Sequence, residues 1–230
     1  RSPLSPASAE LAADVIPTEE DAALAEIQGQ LLPLLSKLLP LGCILAVFAA
    51  LKRRWDVLKM EERSLLVPTM RRFADLRATA PLFAAAALSA GCAPVLGDGS
   101  NLSRQEAEAA FGGKVTRLLV DLQQLLAIDQ TLLSPPIDDD DPKLVEEWRQ
   151  GRGELGRSLL VSKDRTTQSV VLFLTHKSCA LRACADRYGG AADADVVAQA
   201  DLAAEVYAPL ANLLGLGSIK DEIEDAAFAI

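Results

Sequence analysis

Val206-Tyr207-Ala208-Pro209-Leu210-Ala211-Asn212-Leu213-Leu214-Gly215-Leu216-Gly217-Ser218-Ile219-Lys220-Asp221-Glu222-Ile223-Glu224-Asp225 is the stretch whose reading decides the fold. Its first half is an apolar helix carrying Pro209, which should kink it and so help to pack the turn. Gly215 can adopt the left-handed conformation of a helix C-cap. Ser218 with Asp221 then starts a second, acidic helix. Ile219, Ile223, Ala226, Ala227 and Ile230 fall on one face of it, so it is amphipathic. Tyr207 and Asn212 read as packing and turn residues.

The surrounding composition agrees with a helical reading. The 230 residues suit one domain, or one domain with a short appendage, and can bury a sizeable core. Half are apolar and only 4% aromatic, with Ala and Leu dominant and strand-formers sparse, so the fold class is all-α. A net charge of −9 argues against nucleic acid as a partner. Cys43, Cys92, Cys179 and Cys184 show neither a C-x-x-C pair nor a disulfide spacing, and read as buried small hydrophobes in a reducing compartment. His176 is the sole histidine, which excludes any mechanism needing two imidazoles. The chain starts at Arg1 and ends at Ile230 inside a continuing helix, as expected of a piece of a longer protein.

Toward the N-terminus, residues 1–17 are Ser-, Pro- and Ala-rich and expected to be disordered. A helix is predicted from near Thr18, with Glu19, Glu20 and Asp21 favoured by its dipole. Leu31 to Leu51 is the most hydrophobic part and ends in Lys52-Arg53-Arg54. Lys37, Pro33 and Pro40 interrupt it, and its uncharged run falls short of the roughly 20 residues that a bilayer requires, which favours a core helix over a membrane span. Residues 56–79 read as amphipathic helix with a break at Pro68. Pro81 opens an apolar helix, Leu82 to Ala90, before a Gly- and Pro-bearing loop, Gly91 to Asn101. Ser103 with Glu106 forms a capping box for a helix ending at Phe111-Gly112-Gly113. Helices are predicted over Val115–Leu133, Lys143–Val161, Thr167–Tyr188 and Asp193–Leu214. Residues 134–142, with Asp138 to Asp141, read as a solvated acidic loop rather than a cation site. Val170 to Leu174 could pass for a strand, but its flanks favour a core helix.

Gly151-Arg152-Gly153-Glu154-Leu155-Gly156 matches G-x-G-x-x-G without the preceding strand a pyrophosphate cradle requires, and reads as a flexible helix break. Asp193 to Glu205 lacks the Gly and Glu of a calcium loop. No H-E-x-x-H, G-x-S-x-G or Walker A sequence occurs.

Tyr207-Ala208-Pro209-Leu210-Ala211-Asn212, Leu214-Gly215, Gly217, Glu222-Ile223-Glu224-Asp225 and Ala227-Phe228 resemble the end of the hydrolase domain of RelA/SpoT homologues, which make and destroy (p)ppGpp. Glu106 to Leu125 around Phe111-Gly112, and Val170-Val171-Leu172, resemble further family segments more weakly. The resemblance covers about residues 82 to 230. It implies an HD-domain-like helical bundle at 81–230 behind an N-terminal helical extension at 18–80. In the family, a His on one helix, a His-Asp pair on the next and an Asp further on hold a metal that activates water.

The resemblance also shows what is missing. The Ala-rich helix that should deliver His-Asp reads Ala86-Ala87-Leu88-Ser89-Ala90-Gly91-Cys92-Ala93-Pro94, and no histidine precedes His176. With Arg182 in register, His176 stands at the Asp ligand position and Ala180 at the Asn position. The expectation is a degenerate hydrolase with no catalytic residue and no metal or other cofactor of its own. Within the family the chain looks most like the calcium-activated chloroplast type. That implies a soluble chloroplast protein with a Mg²⁺-dependent synthetase domain beyond Ile230, followed by calcium-binding EF-hands. The partner implied in cis is that synthetase. Two other readings stay open: an emptied pocket that holds a guanine nucleotide, with Arg71, Arg72, Arg77 and Lys114 as phosphate partners, and a membrane-associated helical protein.

Overall fold

The computed structural model describes residues 19–89, 95–97, 99, 101–134, 142–160, 165–188 and 192–230. Their regular elements are all helical: α1 (Glu19–Leu35), α2 (Leu41–Arg54), a 3-10 turn (Trp55–Val57), α3 (Met60–Asp75), α4 (Ala80–Leu88), α5 (Arg104–Phe111), α6 (Gly113–Leu133), α7 (Pro142–Leu160), α8 (Thr167–Tyr188), α9 (Ala194–Leu202), a π-helical turn (Ala203–Tyr207), α10 (Ala208–Leu213) and α11 (Gly217–Ala229). One isolated bridge, Leu96 to Leu102, is the extended pairing among the described residues. The all-α bundle expected from composition is the fold found. Residues 1–17, Asp138 to Asp141 and Gly91 to Pro94 lie outside the described residues, with Cys92 among them.

The central column is α8, which packs on α3, α4, α6, α9 and α11. Neighbours on several sides demand apolar residues around most of the helix. Val170, Leu172, Phe173 and Leu174 are therefore all buried, and the stretch that could pass for a strand is core helix. In α4, Leu82 through Leu88 are all buried, Ala84 to Ala87 being small enough for close approach. The core is continuous from Leu24 to Ala226.

Several local expectations need correction. Neither Pro33 nor Pro68 breaks its helix: α1 runs through Pro33 to Leu35, and α3 through Pro68 to Asp75. A helix-interior proline costs about 3 kcal/mol. Around Pro68 that cost is offset by burial of Leu65, Leu66, Val67, Met70 and Phe73 on both sides of it. The G-x-G-x-x-G segment lies inside continuous α7 rather than at a break. There Gly156 allows close approach, since a Cβ on it would stand 2.9 Å from Val206 Cγ1 and 3.0 Å from Leu132 Cδ1. The three described cysteines, Cys43, Cys179 and Cys184, are half-buried rather than buried.

The tail folds as a helix, a stop and a second helix. The kink expected at Pro209 takes the form of the π turn before it, where the Ala208 N–H donates to the Ala203 carbonyl. Proline lacks an N–H and its ring crowds the carbonyl four residues back, so a widened turn relieves both problems. Gly215 sits at φ +72°. The Gly215 N–H donates to Asn212 O at 3.0 Å and the Leu216 N–H to Ala211 O at 2.8 Å, which is a Schellman stop. Ser218 does not cap α11. Its N-cap is Leu216, with no side-chain cap, and Ser218 serves as an acceptor for Arg72. At α5 the predicted capping box is present: Ser103 Oγ accepts from the Glu106 N–H at 3.2 Å, and Glu106 Oε2 accepts from the Ser103 N–H at 2.7 Å.

Candidate functional site

The end of α4 meets the middle of α8 inside the core. Ser89, the C-cap of α4, is fully buried, and its Oγ donates to the Ala85 carbonyl at 2.8 Å. The same oxygen lies 2.8 Å from His176 Nε2. With the hydroxyl proton given to Ala85, the network assigns Nε2 as the N–H donor to Ser89. Phe73 of α3 sets its ring edge-on to the imidazole, at 5.9 Å between centroids. Burial, and secondarily the neighbouring Lys177, push the His176 pKa down to about 3. The imidazole is therefore neutral at physiological pH, and with its proton on Nε2 it donates to Ser89 rather than accepting from it. It joins α4 to α8.

At the very next residue of α8, Lys177, a second buried polar cluster joins α6, α8 and the tail. Asp129 accepts from Lys177 Nζ on one carboxylate oxygen and from the Tyr207 hydroxyl on the other. Tyr207 also packs edge-on against Phe173, 5.4 Å between centroids. Burial pushes the Asp129 carboxyl up, with Lys177 opposing. A cavity of about 30 Å³ adjoins the cluster, lined in part by Ala180 and Gln199. Three charged or polar groups thus satisfy one another where an unpaired one would be costly.

The remaining tail residues are structural contacts and surface. Glu222 Oε1 pairs with Arg72 Nη2 at 2.8 Å, while its Oε2 accepts from Ser178 Oγ at 2.9 Å, joining α3, α8 and α11. Arg72 Nη2 also donates to Ser218 Oγ at 2.9 Å. Glu224 pairs with Lys220, Asp225 is exposed, Pro209 is half-buried, and Asn212 and Gly217 lie at the surface of the two-helix turn. Beside the Arg72–Glu222 pair a cleft of about 340 Å³ opens between α3 and α8, lined by Arg71, Arg72, Asp75, Arg182 and Asp186 among others. Of the four expected phosphate partners, Arg71 and Arg72 line this cleft; Arg77 and Lys114 are exposed and do not. Burial, first among its causes, raises the Cys179 thiol pKa at the cleft wall.

Sequence reasoning passed over Asp129, Lys177 and the Arg152–Glu205 pair, and quoted Ser89 without a role. Asp129 left a signal, because Leu118, Leu122, Leu125, Asp129 and Leu132 form one buried stripe on α6. A carboxylate in an apolar stripe requires a partner. Arg152, inside the G-x-G-x-x-G segment and 4% exposed, donates from Nε to Glu205 Oε2 at 2.7 Å under the π turn.

These donors do not suit a divalent metal. Among the described residues no group of three or more His, Cys, Asp or Glu could hold a metal ion. The single imidazole has Nε2 committed to Ser89, and no carboxylate contributes to its electrostatics.

No family model matches the chain, and no solved structure matches it. The chain is similar to a GTP pyrophosphokinase of Photobacterium angustum, 29% identical over 170 residues, which take in 74% of this chain and 21% of that protein. The chain thus spans about a fifth of the length of the curated relative it matches, and the match supports the RelA/SpoT family, whose resemblance the tail carries.

Proposed function

We propose that this chain is a hydrolase-like region of a (p)ppGpp-metabolising GTP pyrophosphokinase that keeps an HD-like helical frame without its metal chemistry. Its role is scaffold and regulator for a synthetase domain in cis, which would transfer pyrophosphate from ATP to GTP or GDP with Mg²⁺. The observation that carries this reading is the Ser89–His176 contact at 2.8 Å. Ser89, on the stretch where the resemblance expects His-Asp, touches His176, at the position where it expects Asp, and this contact supports the reading. What meets there is a hydroxyl and one imidazole whose Nε2 is committed to that hydroxyl, which is no ligand set for a water-activating metal. Incubating the purified chain with ppGpp and Mn²⁺ should release no pyrophosphate, and metal-dependent release would overturn the proposal. Deleting the segment from the parent enzyme should alter the rate or regulation of synthesis. The calcium-activated chloroplast type is the finer form of the same proposal, and import of the fluorescently tagged parent into isolated chloroplasts tests it.

A second reading, a guanine-nucleotide sensor without catalysis, has one specific support. Arg71 and Arg182 flank the 340 Å³ cleft and make no hydrogen bond or ion pair among the described residues. Guanidinium groups recognise phosphate in a bidentate manner. Asp75 and Asp186 line the same cleft and balance their charge, so the scaffold reading leads. Calorimetry of the chain with ppGpp separates the two: heat that Arg71→Ala removes supports a sensor, and no heat supports the scaffold.

A further inference from the structure

The apolar segment Leu31 to Leu51 is divided by the fold into an inner and an outer set. Leu31, Leu35, Leu39, Ile44, Val47 and Leu51 are buried. Leu32, Leu38, Leu41 and Leu45 are instead 45%, 40%, 68% and 59% exposed. All four lie at the corner where α1 turns into α2, and on α2 Leu41, Leu45, Ala49 and Lys52 form one solvent-facing stripe. Four large leucines on one corner are more than the scattered exposed hydrophobe that surfaces tolerate.

The charges around this corner depart from those of the whole chain. Between Glu26 and Asp56 there is no carboxylate, in a chain whose net charge is −9. Four basic residues occupy the same interval: Lys37, Lys52, Arg53 and Arg54. Arg53 is tied to Glu106, and Arg54 is buried with Nη1 on the Leu88 carbonyl. Lys37 and Lys52 are exposed and have no ion pair or hydrogen bond among the described residues. The acidic end of α1, Glu19 to Asp21, lies at the far end of a 17-residue helix. At about 1.5 Å per residue that is ~25 Å away, well beyond the ~8 Å over which charges act at physiological salt.

We propose that the α1–α2 corner is a peripheral docking surface for an anionic lipid bilayer, with the leucines at the acyl boundary and Lys37 and Lys52 on the headgroups. Among the described residues no helix is long and apolar enough to cross a membrane, so the contact is superficial. A corner of exposed leucines, with Lys37 and Lys52 in the same segment, matches the amphipathic elements that lie in a bilayer interface. Two copies meeting through this same corner would set its lysines against one another, so the positive charge favours an anionic lipid surface over a self-complementary pair.

The test is co-sedimentation of the chain with phosphatidylcholine vesicles, with and without phosphatidylserine, at low and high salt. Binding should require phosphatidylserine and weaken with salt. Leu41→Asp with Leu45→Asp, both at solvent-facing positions, should reduce partitioning at least tenfold while circular dichroism stays unchanged. Lys37→Gln and Lys52→Gln should each reduce it about fivefold, the effect expected of removing one basic residue near an anionic surface. The inference fails if the chain ignores phosphatidylserine, or if the leucine variant binds as the parent does. It fails equally if light scattering shows a dimer that the leucine variant dissolves, with no vesicle binding.

Discussion

Lowering the pH from 7 to 4.5 should destabilise this protein through one identifiable proton. His176 is buried and its pKa is pushed from 6.5 to about 3, chiefly by burial. Between those two values the unfolded chain binds a proton on this imidazole and the folded chain does not. Stability is therefore fully present above pH 6.5 and is lost as pH falls toward the folded pKa, at about 1.4 kcal/mol per pH unit. Two units below 6.5 the loss is about 3 kcal/mol, or roughly 6–12 °C of Tm for a chain of this size. Carboxylates titrate near the bottom of this range, so the comparison needs a variant without the imidazole. His176→Gln retains an amide that can donate to Ser89 and does not titrate. Urea denaturation of both proteins from pH 7 to 4.5 should show the difference between them changing by about 3 kcal/mol, the wild type losing more. Because His176 is the sole histidine, its imidazole proton resonance in NMR is unambiguous. A difference that stays flat with pH, or a resonance titrating near 6.5, would refute the buried, neutral imidazole bound to Ser89.

Four further outcomes follow from the packing. Lys177→Met leaves Asp129 buried without its cation and should cost about 3–5 kcal/mol by chemical denaturation, with Asp129→Asn restoring part of it. Gly156→Ala should lower Tm, because about 1–3 kcal/mol of overpacking against Val206 and Leu132 exceeds the helix propensity gained. Gly151→Ala in the same helix, where a Cβ meets nothing within 4 Å, should instead stabilise by about 0.5–1 kcal/mol. Gly215→Ala forces a Cβ into φ +72° and should destabilise the stop between α10 and α11 by about 1 kcal/mol, read from the urea midpoint.

What could be read in the sequence was what local chemistry dictates. The Ser103–Glu106 box, the Gly215 stop, the bounds of α8 and the interior position of Val170 to Leu174 all follow from residue types at short spacing. The errors arose where tertiary packing outweighed a local rule. Pro68 was expected to end a helix that Leu65, Met70 and Phe73 hold together from both sides, and Gly151 to Gly156 were expected to loosen a helix that needs Gly156 for contact with the π turn. The buried partners were less legible still. Ser89 and His176 are 87 residues apart, and Tyr207 and Asp129 are 78 apart. No spacing rule joins them; only the fold does.

The contrast between these two buried pairs bears on the proposed loss of hydrolase chemistry. A catalytic metal stabilises the carboxylates and imidazoles around it, and once the metal is gone an acid at the same depth becomes an uncompensated buried charge. A frame that persists without its metal should therefore carry neutral groups at the former ligand positions. His176, which the resemblance sets at an Asp ligand position, is neutral, and the Ser89 it meets is a hydroxyl; both lie in the core. The charge the core does retain, on Asp129, is met by both Lys177 and the Tyr207 hydroxyl. Tyr207 opens the tail signature, so the residue that carries the family resemblance also satisfies this acid. On this view the tail is retained because α6 and α8 need it, whether or not a reaction takes place between α4 and α8. The corollary is measurable: Tyr207→Phe removes one donor from a buried carboxylate and should cost about 1–3 kcal/mol of stability. If the chain is linked to a synthetase as proposed, the same substitution there should leave synthetase kinetics unchanged at temperatures where the fold is intact. A variant that kept full stability yet lost synthetase regulation would instead assign Tyr207 a role in signalling and overturn the structural account.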